Sequence, residues 1–184
     1  MNSIKLKKVS NNIGKMLKER GYDCEKLVCK EQMMFIKKEI MVYFIIEPKL
    51  KSSKLKQEFE LIHELYEKVL YKKLILVLNF KPTNSLLKII KAEKKKYDIQ
   101  IFWLNELVID KINHKLVPKH ILIENEEEIE WIKKTFKLKN LLNLPYILRT
   151  DPIVKYYDAK PGQIFKIVRN NITSGKYCYY RYVY

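Results

Sequence analysis

Three apolar runs alternate with two amphipathic stretches between residues 41 and 104, and this alternation restricts the fold more than any other feature. The runs MVYFII (41–46), KLILVLNF (73–80) and IQIFWL (99–104) are rich in β-branched and aromatic residues, as buried strands are. The stretches at 52–70 and 83–98 place their apolar residues on one helical face. Strand, helix, strand, helix, strand with short connections predicts an α/β layer around a mainly parallel sheet.

An additional helix is predicted before the first of these strands. Ser3 is placed to cap it, and Gly21 is placed to end it. The sequence changes character at NHKLVPKHILI (113–123), where Pro118 removes a backbone donor and favours a connecting arm. We therefore predict two domains, residues 1–114 and 115–184.

The second domain begins with a charged helix that has clear end signals. Asn125 is a suitable N-cap, and Glu128 stands three residues later, as in a capping box. The pair Asp151-Pro152 predicts a second helix start, with proline at the first helical position.

The end of the chain has the pattern of a β-hairpin. Residues 160–163 (KPGQ) predict a turn, and QIFKIVR and KYCYYRYVY predict strands joined by NNITSG. The second domain is thus predicted to be a small α+β unit.

The net charge of +16 at pH 7 is the strongest global property of the chain. Such a charge attracts a polyanion through its long-range field and the release of counterions. Lysine-rich composition also follows from an AT-rich genome, so charge alone leaves nucleic-acid binding open. A free-standing DNA-binding regulator is therefore one alternative function.

The sequence lacks the patterns that are typical of several classes of protein. No apolar run approaches the roughly 20 residues of a transmembrane helix, and the N-terminus lacks the apolar core of a secretory signal, so we expect an intracellular protein without a membrane partner. Cys24, Cys29 and Cys178 show no CxxC pairing and are interpreted as reduced structural thiols. The three histidines lack metal-ligand spacing.

One short motif suggests an enzyme. Glu47-Pro48-Lys49 after the strand 41–46 is similar to the Glu-x-Lys of magnesium-dependent nucleases with the restriction-endonuclease-like fold, and Glu39 is a possible upstream carboxylate. The proline interrupts strand pairing at the critical position, so a strand-terminating turn is the alternative interpretation.

Other catalytic patterns are weaker. The Lys160-Pro161-Gly162 turn has one glycine and leads into a strand, whereas a phosphate loop needs several converging backbone N–H groups. His114 and His120 have no nucleophile pattern nearby.

The tyrosine-rich tail has two possible uses. Alternation places Cys178, Tyr180 and Tyr182 on one face of the strand and the odd-numbered residues 177–183 on the other. Both faces are amphipathic, so we interpret the strand as covered on both sides and favour a protein interface over base stacking.

Three stretches in this order form a familiar series: LVPKHILI (116–123), RTDPIVKYYDAKPGQIFKIVR (149–169) and TSGKYCYYR (173–181). They resemble the C-terminal domain of the fifth subunit of eukaryotic nuclear RNA polymerases, a domain that archaeal polymerases share. EEEIEWIKKTFKL (126–138) and NLPYIL (143–148) fit the same pattern.

A weaker resemblance continues upstream. RGY (20–22) and KLILVLNFKPTNSLLKII (73–90) are similar to parts of the N-terminal jaw domain of that subunit. The resemblance implies a restriction-endonuclease-like jaw, a mixed sheet flanked by helices, without nuclease activity. It implies a eukaryotic or eukaryote-like viral protein, located in the nucleus or in a cytoplasmic viral factory or virion.

The chain departs from the family pattern at several positions. Asp158 stands where the family has glycine, so the turn before KPG is expected to be built differently. Asn170-Asn171-Ile172 replaces a Pro-Ser-Glu-like sequence in an expected surface loop, and Asn84 and Leu86 depart from a Thr-Pro-Ser-Ala-like pattern.

The resemblance implies a noncatalytic, cofactor-free subunit within a hetero-oligomeric DNA-directed RNA polymerase. Its partners would be the largest subunit and other subunits, with weak, sequence-independent attraction to downstream duplex DNA. The DNA-proximal candidates are Lys81, Lys88, Lys94, Lys95 and Lys96. The candidates for partner docking are Pro118, His120, Asp151, Pro152, Tyr156, Lys160, Pro161, Gly162, Lys166, Arg169, Gly175, Tyr177, Tyr180 and Arg181.

Overall fold

The chain divides into two compact units, Met1–Ile109 and Asp110–Tyr184, a few residues upstream of the predicted division. The computed structural model describes residues 3–22, 25–29, 32–37, 40–47, 50–69, 73–96, 98–171 and 175–184. None of the helices in these ranges is both long and apolar enough to span a membrane.

In its described ranges, the N-terminal unit combines three α-helices with five strands. The helices are α1 (Ser3–Glu19), α2 (Ser52–Val69) and α3 (Asn84–Glu93). The strands are β1 (Glu25–Cys29), β2 (Gln32–Lys37), β3 (Ile40–Ile45), β4 (Lys73–Leu78) and β5 (Asp98–Trp103).

These strands form one mixed sheet in the order β1-β2-β3-β4-β5. The strands β3, β4 and β5 are parallel, which confirms the predicted β-α-β-α-β order. The antiparallel strands β1 and β2 were not predicted, because each is a short segment without a long apolar run.

One core cluster of this unit lies between the parallel strands and the helices α2 and α3. All six residues of β3 are buried, as an apolar run in a covered parallel sheet should be. Leu55, Phe59 and Ile62 of α2 and Leu86 and Ile90 of α3 pack into the same cluster. Leu86, a departure from the family pattern, is therefore a core residue.

Helix α1 ends in a Schellman motif, which confirms the predicted stop at Gly21. Gly21 has a φ of 82°, and its N–H donates to the Lys18 carbonyl. The Tyr22 N–H donates to the Leu17 carbonyl at 2.8 Å. Glycine takes this left-handed conformation without the steric cost that a Cβ would add.

The C-terminal unit combines two helices with four strands. The helices are α4 (Glu126–Thr135) and α5 (Pro152–Tyr157). The strands are β6 (Lys119–Ile123), β7 (Tyr146–Ile147), β8 (Ile164–Asn171) and β9 (Gly175–Val183), in the sheet order β6-β8-β9-β7.

A small core covers each face of this sheet. On one face Ile132 of α4 packs with Ile123, Ile164 and Tyr180. On the other face the α5 residues Ile153 and Val154 belong to a cluster that also contains Ala159, Phe165, Ile167 and Val183. The two-sided cover expected for the last strand is therefore present at its C-terminal half, whereas residues 175–178 are exposed.

Three sequence predictions in this unit need correction. Part of the expected connecting arm is the strand β6, which begins directly after Pro118 and pairs with β8. Asn125 caps α4 as predicted, but Glu128 binds Lys166, a partner distant in sequence that a local capping pattern cannot include. Asn170 and Asn171, expected in a loop, extend β8 and pair with β9.

Candidate docking surface and basic helix

The hairpin of β8 and β9 carries an uncovered surface at the end away from α5. Arg169 is paired with Tyr177, and Ile167 with Tyr179, in the antiparallel register. Side chains alternate along a strand, so Arg169, Tyr177, Tyr179 and Arg181 share the face on which α5 packs further along. These four residues are called the arginine–tyrosine surface below.

Tyr179 is the centre of the arginine–tyrosine surface. Its ring stacks against Tyr177, with the two centroids 6.2 Å apart and the planes at 27°. The Cζ atoms of Arg169 and Arg181 lie 4.9 Å and 5.8 Å from the Tyr179 centroid. Guanidinium groups are attracted to the negative face of an aromatic ring at such distances.

The two guanidinium groups remain available for an anion. Arg181 also donates through Nη1 to the Tyr146 carbonyl at 2.8 Å. Among the residues that the structure describes, neither arginine has a carboxylate within salt-bridge distance. Tyr177 is 39% exposed, so the surface is open to solvent.

His120 lies on the same side of the sheet, in the neighbouring strand β6. Its Nδ1 is 2.7 Å from the Pro118 carbonyl, which can only accept, so Nδ1 carries the proton. The ring meets Phe165 edge to face. Burial lowers the pKa of His120, and the charges of Arg169 and Arg181 add to this effect, while the Pro118 carbonyl and Asp151 oppose it.

Helix α5 and the turn after it fix the covered end of this sheet face. Asp151 caps the helix by accepting from the Ile153 N–H at 2.8 Å, with Pro152 at the first helical position, as predicted. Half-buried Tyr156 contacts Tyr157, whose ring packs on Phe165.

The KPG segment forms the predicted turn and is anchored to the end of β9. The Lys160 N–H donates to Gln163 Oε1, and the Gln163 N–H donates back to the Lys160 carbonyl. Gly162 has a φ of 96° and donates to the Val183 carbonyl. Pro161 and Gly162 are exposed at the tip.

Asp158 ends α5 by the same Schellman motif that glycine would form. Its φ of 53° and ψ of 34° are left-handed, and its N–H and that of Ala159 donate to the Lys155 and Val154 carbonyls. Asp158 thus adopts a conformation that glycine adopts easily. Aspartate is one of the residues that tolerate this conformation, and Lys160 Nζ lies 3.3 Å from its Oδ2.

Two further predicted docking residues, Tyr180 and Lys166, contact helix α4 or the residue after it. Tyr180 is only 6% exposed, and its ring contacts Trp131 and Phe136 edge to face. Lys166 Nζ pairs with Glu128 Oε1. Gly175, with a φ of 70°, begins β9 directly after the residues 172–174, which lie outside the described ranges with Ile172 among them.

The five predicted DNA-proximal lysines do not form one patch, since Lys88 lies within α3 and the other four lie before or after this helix. Lys81 precedes the helix and lies over the Trp103 ring, whereas residues 94–96 follow its last turn. Lys96 pairs with Glu93, which partly offsets its charge, and its Nζ also lies 3.5 Å from His63 Nε2. Lys88, Lys91 and Lys95 are exposed and spaced for one helical face.

The positions of the described acidic residues give little support to the nuclease hypothesis. Glu47 accepts from Lys54 of α2, and Glu58 is buried and accepts from the Tyr43 hydroxyl at 2.5 Å. Within the described ranges, no three His, Cys, Asp or Glu side chains cluster as a metal site requires. Glu39, Pro48 and Lys49 lie outside those ranges.

Comparison with known proteins identifies the second unit. The sequence profile of the family described as RNA polymerase Rpb5, C-terminal domain, matches residues 109–183. The C-terminal unit is thus similar to the Rpb5 C-terminal domain over almost all of its length. The match extends from just before the start of this unit at Asp110 to the end of β9.

Curated relatives carry names that agree with this Rpb5 assignment. The "DNA-directed RNA polymerases I, II, and III subunit rpabc1" of Dictyostelium discoideum is 39% identical over 90 residues, covering 49% of this chain and 45% of the relative. The RPABC1 proteins of Caenorhabditis briggsae and Caenorhabditis elegans are each 38% identical over 88 residues, covering 48% of this chain and 41% of the relative. The matched segment thus spans less than half of each relative.

Sequence reasoning missed Tyr179 and Lys91 as candidate site residues. Tyr179 falls at a position that the family series G.Y..YR leaves open, although strand alternation places it beside Tyr177 and Arg181. Lys91 falls between Lys88 and Lys95 at helical spacing, a signal that was present in the sequence.

Proposed function

We propose that this protein is a noncatalytic subunit of a multisubunit DNA-directed RNA polymerase, docked on the largest subunit through its C-terminal unit. The match of residues 109–183 to the Rpb5 C-terminal domain carries this proposal. The names of the relatives, which describe a subunit of RNA polymerases I, II and III, support it.

The C-terminal unit presents the docking surface in this proposal. Its exposed positions include Pro161 and Gly162 in the KPG turn and Arg169 and Tyr177 of the arginine–tyrosine surface. Arginine and tyrosine are enriched at the energetic centres of protein interfaces because they combine contact area with fixed hydrogen-bonding geometry. Tyr180 and Lys166 act indirectly, since they hold the sheet to α4.

The N-terminal unit is proposed to be the jaw, with a restriction-endonuclease-like fold that has no nuclease role. The mixed sheet flanked by helices is compatible with that fold. The exposed Lys88, Lys91 and Lys95 would attract the phosphates of downstream DNA without reading its sequence.

Location follows from the assembly. We propose the nucleus for a cellular protein, and a viral factory or virion if the gene is viral.

The proposal is tested by purifying the tagged chain from the cells that produce it. The eluate should carry template-dependent nucleotidyl transfer, and the isolated chain should have neither this activity nor magnesium-dependent nuclease activity. Nuclease activity that stays with the isolated chain through every purification step would contradict the proposal.

A further inference from the structure

We propose that the arginine–tyrosine surface binds a carboxylate-bearing segment of the protein partner, with the acidic side chain held between the guanidinium groups of Arg169 and Arg181. This inference rests on the proposed function in one respect, since it takes the largest polymerase subunit as that partner. The charge and geometry of the surface do not depend on which protein the partner is.

The guanidinium groups of Arg169 and Arg181 both lie beside the Tyr179 ring. Arg169 comes from β8 and Arg181 from β9, yet both Cζ atoms lie within 5.8 Å of the Tyr179 centroid. Planar guanidinium groups bind carboxylates through two parallel hydrogen bonds, which makes the recognition directional as well as electrostatic. Charge complementarity therefore selects an acidic occupant.

No acidic group of the described C-terminal unit already occupies this position. Lys160 pairs with Asp158 and Lys166 with Glu128, and neither pair includes Arg169 or Arg181. His120, on the same sheet face, is kept neutral near pH 7, because its pKa is lowered by burial and by both arginines. Arg169 and Arg181 outnumber Asp151, the one carboxylate among the described residues that acts on His120, so this face carries a net positive charge.

A protein segment fits this surface better than a nucleic acid does. Tyr177 and Arg181 stand two residues before and after Tyr179 on one strand face, so the Tyr179 ring lies between them and is not free to stack a base. A phosphate backbone is followed by a track of repeated cations, whereas this face presents two arginines.

The first experiment uses a simple probe and does not depend on the polymerase. The full chain is titrated with an acetylated tetraglutamate peptide while the His120 ring resonances are followed by NMR between pH 5 and 8. A carboxylate between the arginines cancels part of their effect, so the peptide should raise the pKa of His120. An acetylated tetraglutamine peptide should cause no change.

Two variants make this result specific. R169Q/R181Q should abolish the response to tetraglutamate, whereas K176Q, an exposed position on the opposite strand face, should preserve it. An equal response to both peptides, or an unchanged response in R169Q/R181Q, would overturn the inference whatever the chain assembles with.

The second experiment uses the assembled complex. Tyr177 is replaced by p-benzoylphenylalanine, and the cross-linked segment of the largest subunit is identified by mass spectrometry. We expect a segment containing Asp or Glu, and at least about a tenfold loss of subunit affinity in R169E/R181E but not in K176E. Reversing the cross-linked acid to Lys should restore binding of R169E/R181E.

The outcomes separate the two proposals. Cross-linking to nucleic acid, or to a segment without a carboxylate, overturns the inference and leaves the polymerase assignment intact. Failure of the wild-type chain to bind any large polymerase subunit, together with a specific tetraglutamate response, refutes the proposed function and supports the inference.

Discussion

Lys166 Nζ lies 2.9 Å from Glu128 Oε1 and thereby joins strand β8 to the first turn of helix α4. The two residues are separated by 38 positions, so the pair fixes a tertiary contact rather than a local turn. The hydrogen bond to Glu128 raises the pKa of Lys166. Both side chains are about a third exposed, which limits the strength of the pair.

We predict a modest coupling energy between Glu128 and Lys166. A double-mutant cycle with E128Q and K166M should give about 0.5–1 kcal/mol of unfolding free energy at pH 7, as measured by urea denaturation. The folded pKa lies above the ordinary value of 10.5, so the coupling should be complete below pH 10.5 and disappear as pH rises through the folded pKa. A coupling that increases in that range would be contrary to this account.

Left-handed residues at helix ends provide a second prediction. Lys137 has a φ of 50° and occupies the position after α4 that Asp158 occupies after α5. A Cβ is strained in this conformation, so K137G should raise the unfolding free energy by about 0.5–1 kcal/mol, after allowing for the greater flexibility of glycine in the unfolded chain.

Replacing Asp158 with glycine should raise the unfolding free energy less than replacing Lys137 does. Aspartate tolerates the left-handed region better than lysine, and D158G also removes the contact with Lys160. The reverse change, G21A, should destabilise the chain by about 1 kcal/mol, because Gly21 has a φ of 82°. Thermal melts of the three variants give the comparison, and a larger gain for D158G than for K137G would refute it.

His120 should make stability fall on mild acidification. Its folded pKa is lower than the unfolded value of 6.5, so the unfolded state takes up a proton first. The penalty is absent well above pH 6.5, grows as pH falls through 6.5, and is complete below the folded pKa. H120N keeps a donor for the Pro118 carbonyl without the titration, so it should remove this part of the pH dependence in urea melts.

The basic helix α3 should contribute to the salt dependence of DNA binding. In the assembled polymerase, K88Q/K91Q/K95Q should lower the slope of log K against log salt by up to about 3 if all three lysines contact phosphate. The control K133Q/K134Q/K139Q removes the same charge from the C-terminal unit and should leave the slope nearly unchanged. Equal effects of the two triples would refute a specific role for α3.

Local sequence signals predicted much of the fold because the relevant forces act over short distances. The apolar runs of β3 and β4, the stop at Gly21 and the proline after Asp151 each determine the structure of a few adjacent residues. Strand β6 escaped prediction, because its pairing with β8 is a contact between segments more than 40 positions apart.

The candidate site was predicted less completely than the fold. Arg169, Tyr177 and Arg181 were identified through the family pattern, whereas Tyr179 emerged from the strand register and from its contacts with both arginines. Tyr180 was predicted as a docking residue. Strand alternation gives the face on which Tyr180 lies, but only the structure shows that α4 covers this face.

Co-purification is the most direct test of the central claim. The full-length tagged chain should elute together with the largest subunit of a DNA-directed RNA polymerase at a one-to-one ratio by quantitative mass spectrometry, and the pair should remain together on size-exclusion chromatography in high salt. Elution of the chain as a stable monomer, with no large polymerase subunit at any salt concentration, would contradict the account.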